Sequence, residues 1–391
     1  MARLIIEGWR FLPHSYAIVN HQHLVRLHGI AGLELFHRDY AFPRPTWSEV
    51  KGVFDAEHEA AVRAIPSPRE GERVDALLRM RVPYDLTPAP EADRTYVFMT
   101  GEQGRIPDSI MVGGMSLAQS AHEAQIAAAA QGKKVRIIVP SRWSRDAAVR
   151  SGAPVDMIDI VPHGVETSLF YPAEAQVREQ AARARGWNDN VVVLHVGAMT
   201  SSKGPEILLR GFAHVARRVS KAILVLKGLD AMYSSGEFLA QFAELLTPAE
   251  RQALEGRVVY IGDALSMAQQ AELFRTSDVY ACPYRGEGFN MPALEAVACG
   301  MPVVCTANGP TDDFVPAGVA LKVESRTGEN PWAPGDFALV PNQASFNNQL
   351  ERAVANASVR AKAREVGPGF VANGWTWEQV VQTLVKTLGV G

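Results

Sequence analysis

The stretch Val279–Phe314, VYACPYRGEGFNMPALEAVACGMPVVCTANGPTDDF, reads as strand, loop, helix, strand and loop. Val279–Cys282 is a short apolar run that stops at Pro283, as a buried strand does. Gly286 and Gly288 in the loop Tyr284–Met291 let a ligand approach the backbone. Pro292 suits a first helical position, where no N–H is required. Gly300 and Pro302 then end the helix. Two carboxylates frame the turn: Glu287 in the loop and Glu295 early in the helix, with seven residues between them.

A loop that runs into a helix N-terminus offers backbone amides to an anion; here they belong to about Gly288–Ala293. Carboxylates repel phosphate but accept from hydroxyls, so a ligand carrying both, such as a nucleotide sugar, satisfies both halves of the site. Taken alone, Glu295 also fits a helix-dipole partner and Glu287 a solvated loop residue.

A chain of 391 residues is too long for one ordinary core, so two domains are expected. Hydrophobic residues make up 47%, as in a globular protein. The net charge of −3, without blocks of like charge, argues against a dedicated nucleic-acid binder. The three cysteines, Cys282, Cys299 and Cys305, lack metal-ligand spacing and read as buried thiols in a reducing cytoplasm. MARLIIEGWRF opens a strand rather than a signal peptide, and no run reaches the ~20 apolar residues of a membrane span.

Strand and helix patterns alternate along the chain, the mark of an α/β fold with parallel sheets. Arg3–Gly8 and Gly32–His37 read as strands around a helix from Tyr16 to about His28. Ser15 suits its cap, and Asn20 its polar surface. Tyr96–Met99 is strand-like and ends beside Glu102, where doubly wound folds bind ligands. Val191–Val196 is followed by the loop Gly197-Ala198-Met199-Thr200-Ser201-Ser202-Lys203-Gly204 and a helix from Pro205, a second anion site with Lys203 as its charge. Ala222–Leu226 delivers Lys227 to the neighbouring strand end. Residues 322–343 are irregular in pattern, and helices are expected over about Ala344–Ala357 and Trp377–Leu388. No G-x-G-x-x-G follows a strand and no G-x4-G-K-[ST] occurs, which disfavours a dinucleotide oxidoreductase and a P-loop enzyme.

The two spaced carboxylates and the phrase EGFNMPALEAVACGMPVV resemble the E-x7-E signature of retaining GT-B glycosyltransferases, in particular glycosyltransferase family 4. The run PSRWSRDAAVRSGAP…IVPHGVETSLFYP resembles the segment that ends that family's first domain. The resemblance implies a GT-B fold, two Rossmann-like domains facing each other across a cleft: an acceptor domain over 1–165 and a nucleotide-sugar domain over 166–374. The helix at about 375–391 would return to the first domain, with Trp375 and Trp377 as anchors.

The resemblance also implies roles. Glu287, Lys203 and Glu102 are the catalytic candidates, Glu102 through a weaker likeness of its Glu-Gln-Gly-Arg-Ile-Pro to an acidic family segment. Glu295, Lys227, Gly288, Phe289, Asn290, Met291, Gly197 and Thr200 would bind the donor. His14 and Ser15 lie on the acceptor side, in a phrase similar to the family's hS-x-A-x-V-N. The activity implied is a retaining transfer from a nucleoside-diphosphate sugar to a glycan or lipid-linked acceptor, in the cytoplasm or at the inner face of the membrane. Neither cofactor, metal nor nucleic acid is expected. Ala198 departs from the family's Gly-Arg-x4-Lys loop and leaves one fewer cation, with Lys227 as the nearest candidate to share the load and Arg285 as the next. That departure is the feature favouring the alternative, a nucleotide-sugar-binding protein of the same fold without turnover.

Overall fold

The computed structural model describes the backbone of residues 1–391 and the side chains of all but 333–336. The chain divides into two compact units, Met1–Gly164 with Trp377–Gly391, and Val165–Thr376.

The first unit is built on β1 (Ala2–Gly8), β2 (Leu33–Asp39), β3 (Val74–Met80), β4 (Ala92–Phe98), β5 (Lys134–Val139) and β6 (Ile158–Ile160), in the order β2-β1-β3-β4-β5-β6. All of its pairs are parallel. The chain fills β2 on one side of β1 and then returns to fill β3 on the other, so its direction of winding reverses between β1 and β3.

The second unit carries β7 (Val191–Val196), β8 (Ala222–Lys227), β9 (Val258–Ile261), β10 (Val279–Cys282), β11 (Val303–Thr306) and β12 (Ala320–Val323). Their order is β12-β11-β10-β7-β8-β9, again parallel throughout. β8 and β9 extend one side of β7 and β10–β12 the other, so the reversal falls between β7 and β10. Crevices for ligands open at such reversals, beyond the carboxyl ends of the strands. Parallel strands are covered on both faces and therefore apolar nearly throughout. Val193, Leu224, Leu226, Val279, Ala281 and Val304 form one core cluster with Leu208, Phe212 and Val215 of the helix Pro205–Ala216 and Phe346 and Leu350 of the helix Gln343–Ala355.

Several expectations are corrected. Residues 322–343 are ordered, not irregular: after β12 they form an antiparallel hairpin of β13 (Ser325–Asn330) and β14 (Ala333–Pro341). Ser325–Asn330 is almost devoid of apolar residues, so hydrophobic periodicity gives no sign of it. A helix also spans Ala357–Ala372, through Gly367-Pro368-Gly369, which reads as a breaker. Tertiary packing overrides that local preference: a Cβ at Gly367 would lie 2.3 Å from the carbonyl oxygen of Val297, so glycine is what lets this helix approach the helix Met291–Ala298. A further unexpected helix covers Ala56–Ala64. Asn20 is fully buried rather than on a helix surface, donating to the Trp9 carbonyl at 2.9 Å and lying 3.1 Å from His37 Nε2. It thereby fixes the exit from β1. Trp377 is buried at the start of the helix Trp377–Leu388, against His23 and His163. Trp375 does not anchor that helix; it packs in the second unit against Phe289, Phe314 and Phe370.

No helix of the described residues is long and apolar enough to cross a membrane.

Candidate donor site at the sheet reversal

The loops that leave β7 and β10, residues 197–204 and 283–290, stand side by side at the reversal of the second sheet. Gly204 has a left-handed backbone, φ +69°, and caps the helix Pro205–Ala216. The amides of Arg285 and Gly286 both donate to the Ser202 carbonyl, at 2.7 and 3.1 Å. Across this seam Lys203 Nζ lies 2.9 Å from Glu287 Oε1, with both side chains about 15% exposed (16% and 15%). The structure thus joins two of the three catalytic candidates in one ion pair. At that exposure the pair is partly shielded from water, so each charge helps set the other's position.

Asn290 takes a left-handed conformation, φ +79°, and its Oδ1 accepts from Ala293 N at 3.1 Å. Asparagine tolerates this backbone and is a favoured N-cap. The cap corrects the expected set of anion-binding amides, because Ala293 is already satisfied. The helix also begins at Met291, so Pro292 is its second residue.

Glu295 is buried, and Gln270 Nε2 donates to its Oε2 at 3.4 Å. Desolvation pushes its carboxyl up to about 8, with the Gln270 hydrogen bond opposing the shift. Lys227 ends β8, next to Gly197, whose amide donates to the Lys227 carbonyl at 2.9 Å. Its ammonium donates to the Gly228 carbonyl. Burial lowers it to about 8, while Asp230 and Asp263 pull the other way. Thr200 Oγ1 lies 3.0 Å from Ser202 Oγ. Arg285, the second candidate for the missing cation, is engaged elsewhere: its guanidinium is buried against Glu206 and donates to the Ser201 carbonyl at 3.0 Å.

Sequence reasoning overlooked His195 on β7. Its Nδ1 lies 2.8 Å from the Ala281 carbonyl, while Nε2 is buried without a hydrogen-bond partner among the described residues. Burial pushes the imidazole down to about 4, so it is neutral. A lone histidine in the otherwise apolar run VVVLHV was the available signal.

Over residues 177–365 the chain matches the model of the family described as glycosyl transferases group 1. The second unit carries a group 1 glycosyl transferase domain. The D-inositol 3-phosphate glycosyltransferase of Segniliparus rotundus is 35% identical over 179 residues, which is 45% of this chain and 36% of that protein. The protein of the same name from Rhodococcus opacus is 30% identical over 259 residues, 64% of this chain and 52% of that one. The chain thus spans between about a third and a half of the length of these curated relatives. Among solved structures, Anabaena HepE in complex with UDP and glucose superposes with a TM-score of 0.70 over 100% of both chains at 14% identity. The architecture is GT-B, with the group 1 domain as its second unit.

The remaining candidates belong to the first unit. Glu102 is exposed in the turn after β4. His14, not Ser15, caps the helix Ser15–Leu27: its Nδ1 accepts from Tyr16 N at 3.1 Å, and Ser15 is exposed. The His14 ring packs between Trp9 and Trp47, at 5.3 and 5.2 Å between centroids. Beside it Tyr16 and Tyr84 share a hydrogen bond of 2.6 Å between hydroxyls, with Thr100 Oγ1 3.2 Å from Tyr16. This polar cluster, beyond the ends of β1, β3 and β4, was not apparent in the sequence because its members lie 68 and 84 residues apart.

Proposed function

We propose that the protein is a retaining glycosyltransferase that takes its sugar from a nucleoside diphosphate. The observation that carries this reading is the Lys203–Glu287 pair, which sets a cation and a hydroxyl acceptor side by side at the sheet reversal of a group 1 domain. Lys203 and the loop amides would neutralise the diphosphate as the glycosidic bond breaks. Glu287 would accept hydrogen bonds from the donor sugar's hydroxyls, and Glu295 from the ribose. Transfer would proceed on one face of the sugar, with the leaving phosphate helping to take the acceptor proton, so no protein nucleophile is assigned.

The acceptor hydroxyl, on a glycan or a lipid-linked sugar, is assigned to the first unit, near His14, Ser15 and Glu102. The reading places the protein in the cytoplasm, with peripheral contact at the inner face of the membrane, in the synthesis of a surface glycan or glycoconjugate. The reaction is proposed to run without a metal, because the sequence has no Asp-x-Asp to hold one on a diphosphate.

Incubation with UDP-, GDP-, ADP- and dTDP-sugars, scored for release of the nucleoside diphosphate, tests the proposal. UDP-glucose heads the series because HepE is also solved in complex with it. Turnover of one donor, with the anomeric configuration kept in the product, is expected; binding without release would favour the alternative of a nucleotide-sugar-binding protein without turnover, to which Ala198 points.

A further inference from the structure

Arg285 lies two residues before Glu287, and Glu206 three residues after Lys203. Their side chains form an ion pair behind the two donor loops, at 7% and 4% exposure. Arg285 is held at several points. Its guanidinium reaches Glu206 and the Ser201 carbonyl, its amide donates to Ser202, and its carbonyl accepts from Leu339 N of β14 at 2.9 Å. The hairpin meets the pair a second time, where Trp332 Nε1 donates to Glu206 Oε1 at 3.3 Å. The Trp332 indole itself stands edge-on to Phe242, 5.3 Å between centroids.

Stability alone does not call for such a pair. Burying two charges carries a desolvation cost, and an apolar pair of similar volume often serves as well or better. Here the cost is raised further, because Glu206 Oε2 and Arg285 Nε are buried without hydrogen-bond partners among the described residues. What the pair does supply is geometry. A planar guanidinium held by a carboxylate and a carbonyl admits few orientations, and it ties the turn carrying Glu287 to the helix start that follows Lys203.

We propose that Glu206 and Arg285 are positioning residues for the transfer, and that the Ser325–Pro341 hairpin clamps them through Trp332 and Leu339. The inference rests on the glycosyltransferase reading above. A small displacement of groups that must meet a reacting centre costs turnover steeply, so the pair acts on kcat rather than on the affinity for the nucleoside.

The test compares Glu206→Gln, Arg285→Met, the apolar double variant Glu206→Leu/Arg285→Met, and Trp332→Phe. For each, kcat and KM are measured with the donor the wild type turns over, along with nucleoside affinity and the thermal midpoint. The single variants should lose kcat by roughly ten-fold or more while nucleoside affinity stays within about three-fold. The double variant should regain thermal stability without regaining kcat. Trp332→Phe, which keeps an aromatic ring against Phe242, should lower kcat by roughly two- to five-fold at an unchanged midpoint. Recovery of kcat together with stability in the double variant would show a merely structural pair and overturn the inference. Should the double variant not fold, wild-type kcat in Trp332→Phe and Glu206→Gln overturns it equally. A wild type that turns over no nucleotide sugar instead fails the transferase reading, and the inference falls with it.

Discussion

A Cβ added to Gly204 would lie 2.2 Å from the carbonyl oxygen of Pro283. The loops that leave β7 and β10 therefore touch backbone to backbone, and the Lys203–Glu287 pair forms across that contact. Gly204→Ala meets two penalties at once, the steric clash and the left-handed φ of +69°. It should destabilise the protein by about 1–3 kcal/mol and lower turnover more than any loss of folded protein explains. Chemical denaturation alongside kinetics on the folded fraction checks this; a variant with wild-type stability would mean that the loops separate freely.

Glu287 and Glu295 should separate by kinetic signature. Glu287→Gln is expected to cut kcat strongly, while Glu295→Ala mainly weakens donor binding. A charge-assisted hydrogen bond is worth ~1.5–3 kcal/mol, or roughly ten- to a hundred-fold, which Glu295 supplies in full only above its raised value of about 8. Steady-state kinetics with the active donor decides; wild-type constants in both folded variants would remove the carboxylates from the site.

Glu295 also predicts a pH dependence. Its folded carboxyl stands at about 8 because of burial, well above its ordinary value of 4.5. A raised carboxyl favours the folded state most below the unfolded value, and that contribution is lost as pH rises toward the folded one. Between pH 5 and 8 wild type should therefore lose stability relative to Glu295→Gln, on the order of 1 kcal/mol per pH unit. A donor that needs the carboxylate as acceptor should bind more tightly as pH rises through the same range, and the glutamine variant should not show this slope. Parallel stability curves for the two proteins would refute the assignment.

The cations should discriminate by phosphate. Lys203→Ala and Lys227→Ala are each expected to weaken nucleoside diphosphate far more than free nucleoside, and their effects should be coupled because both would neutralise one ligand. Lys227 has to leave the Gly228 carbonyl for this, so its share should be the smaller. Calorimetry with nucleoside, monophosphate and diphosphate tells them apart; an equal loss for all three ligands in Lys227→Ala would mean that it is not a phosphate ligand.

Turnover should survive EDTA. Lysine and backbone amides would neutralise the diphosphate, and no group of three His, Cys, Asp or Glu residues among those described could hold a metal ion. Loss on chelation with rescue by Mg²⁺ or Mn²⁺ would reject this electrostatic account.

Much of this was legible in the chain itself, for a local reason. The alternation of apolar runs with helical spacing specifies parallel α/β units, because a strand covered on both faces must be apolar throughout. The loops after Val196 and Cys282, with Lys203, Glu287 and Glu295, could be read from neighbours within a few residues. The capping pairs Thr247/Glu250 and Ser266/Gln269 are equally local, and both form as capping boxes. Other features depend on partners distant in the chain. The order β12-β11-β10-β7-β8-β9 brings Lys203 beside Glu287, which lies 84 positions further along the chain. The same packing buries Glu295 and so raises its carboxyl, and it draws the Arg285 guanidinium onto Glu206. The sequence by itself determined the parallel strands and most of the helices between them, with the side chains at their ends, but not the β13–β14 hairpin or the helices Ala56–Ala64 and Ala357–Ala372. Only the tertiary structure decided which of those side chains share a charge, lose their water or hold one another in place, because electrostatics and desolvation depend on distance in space.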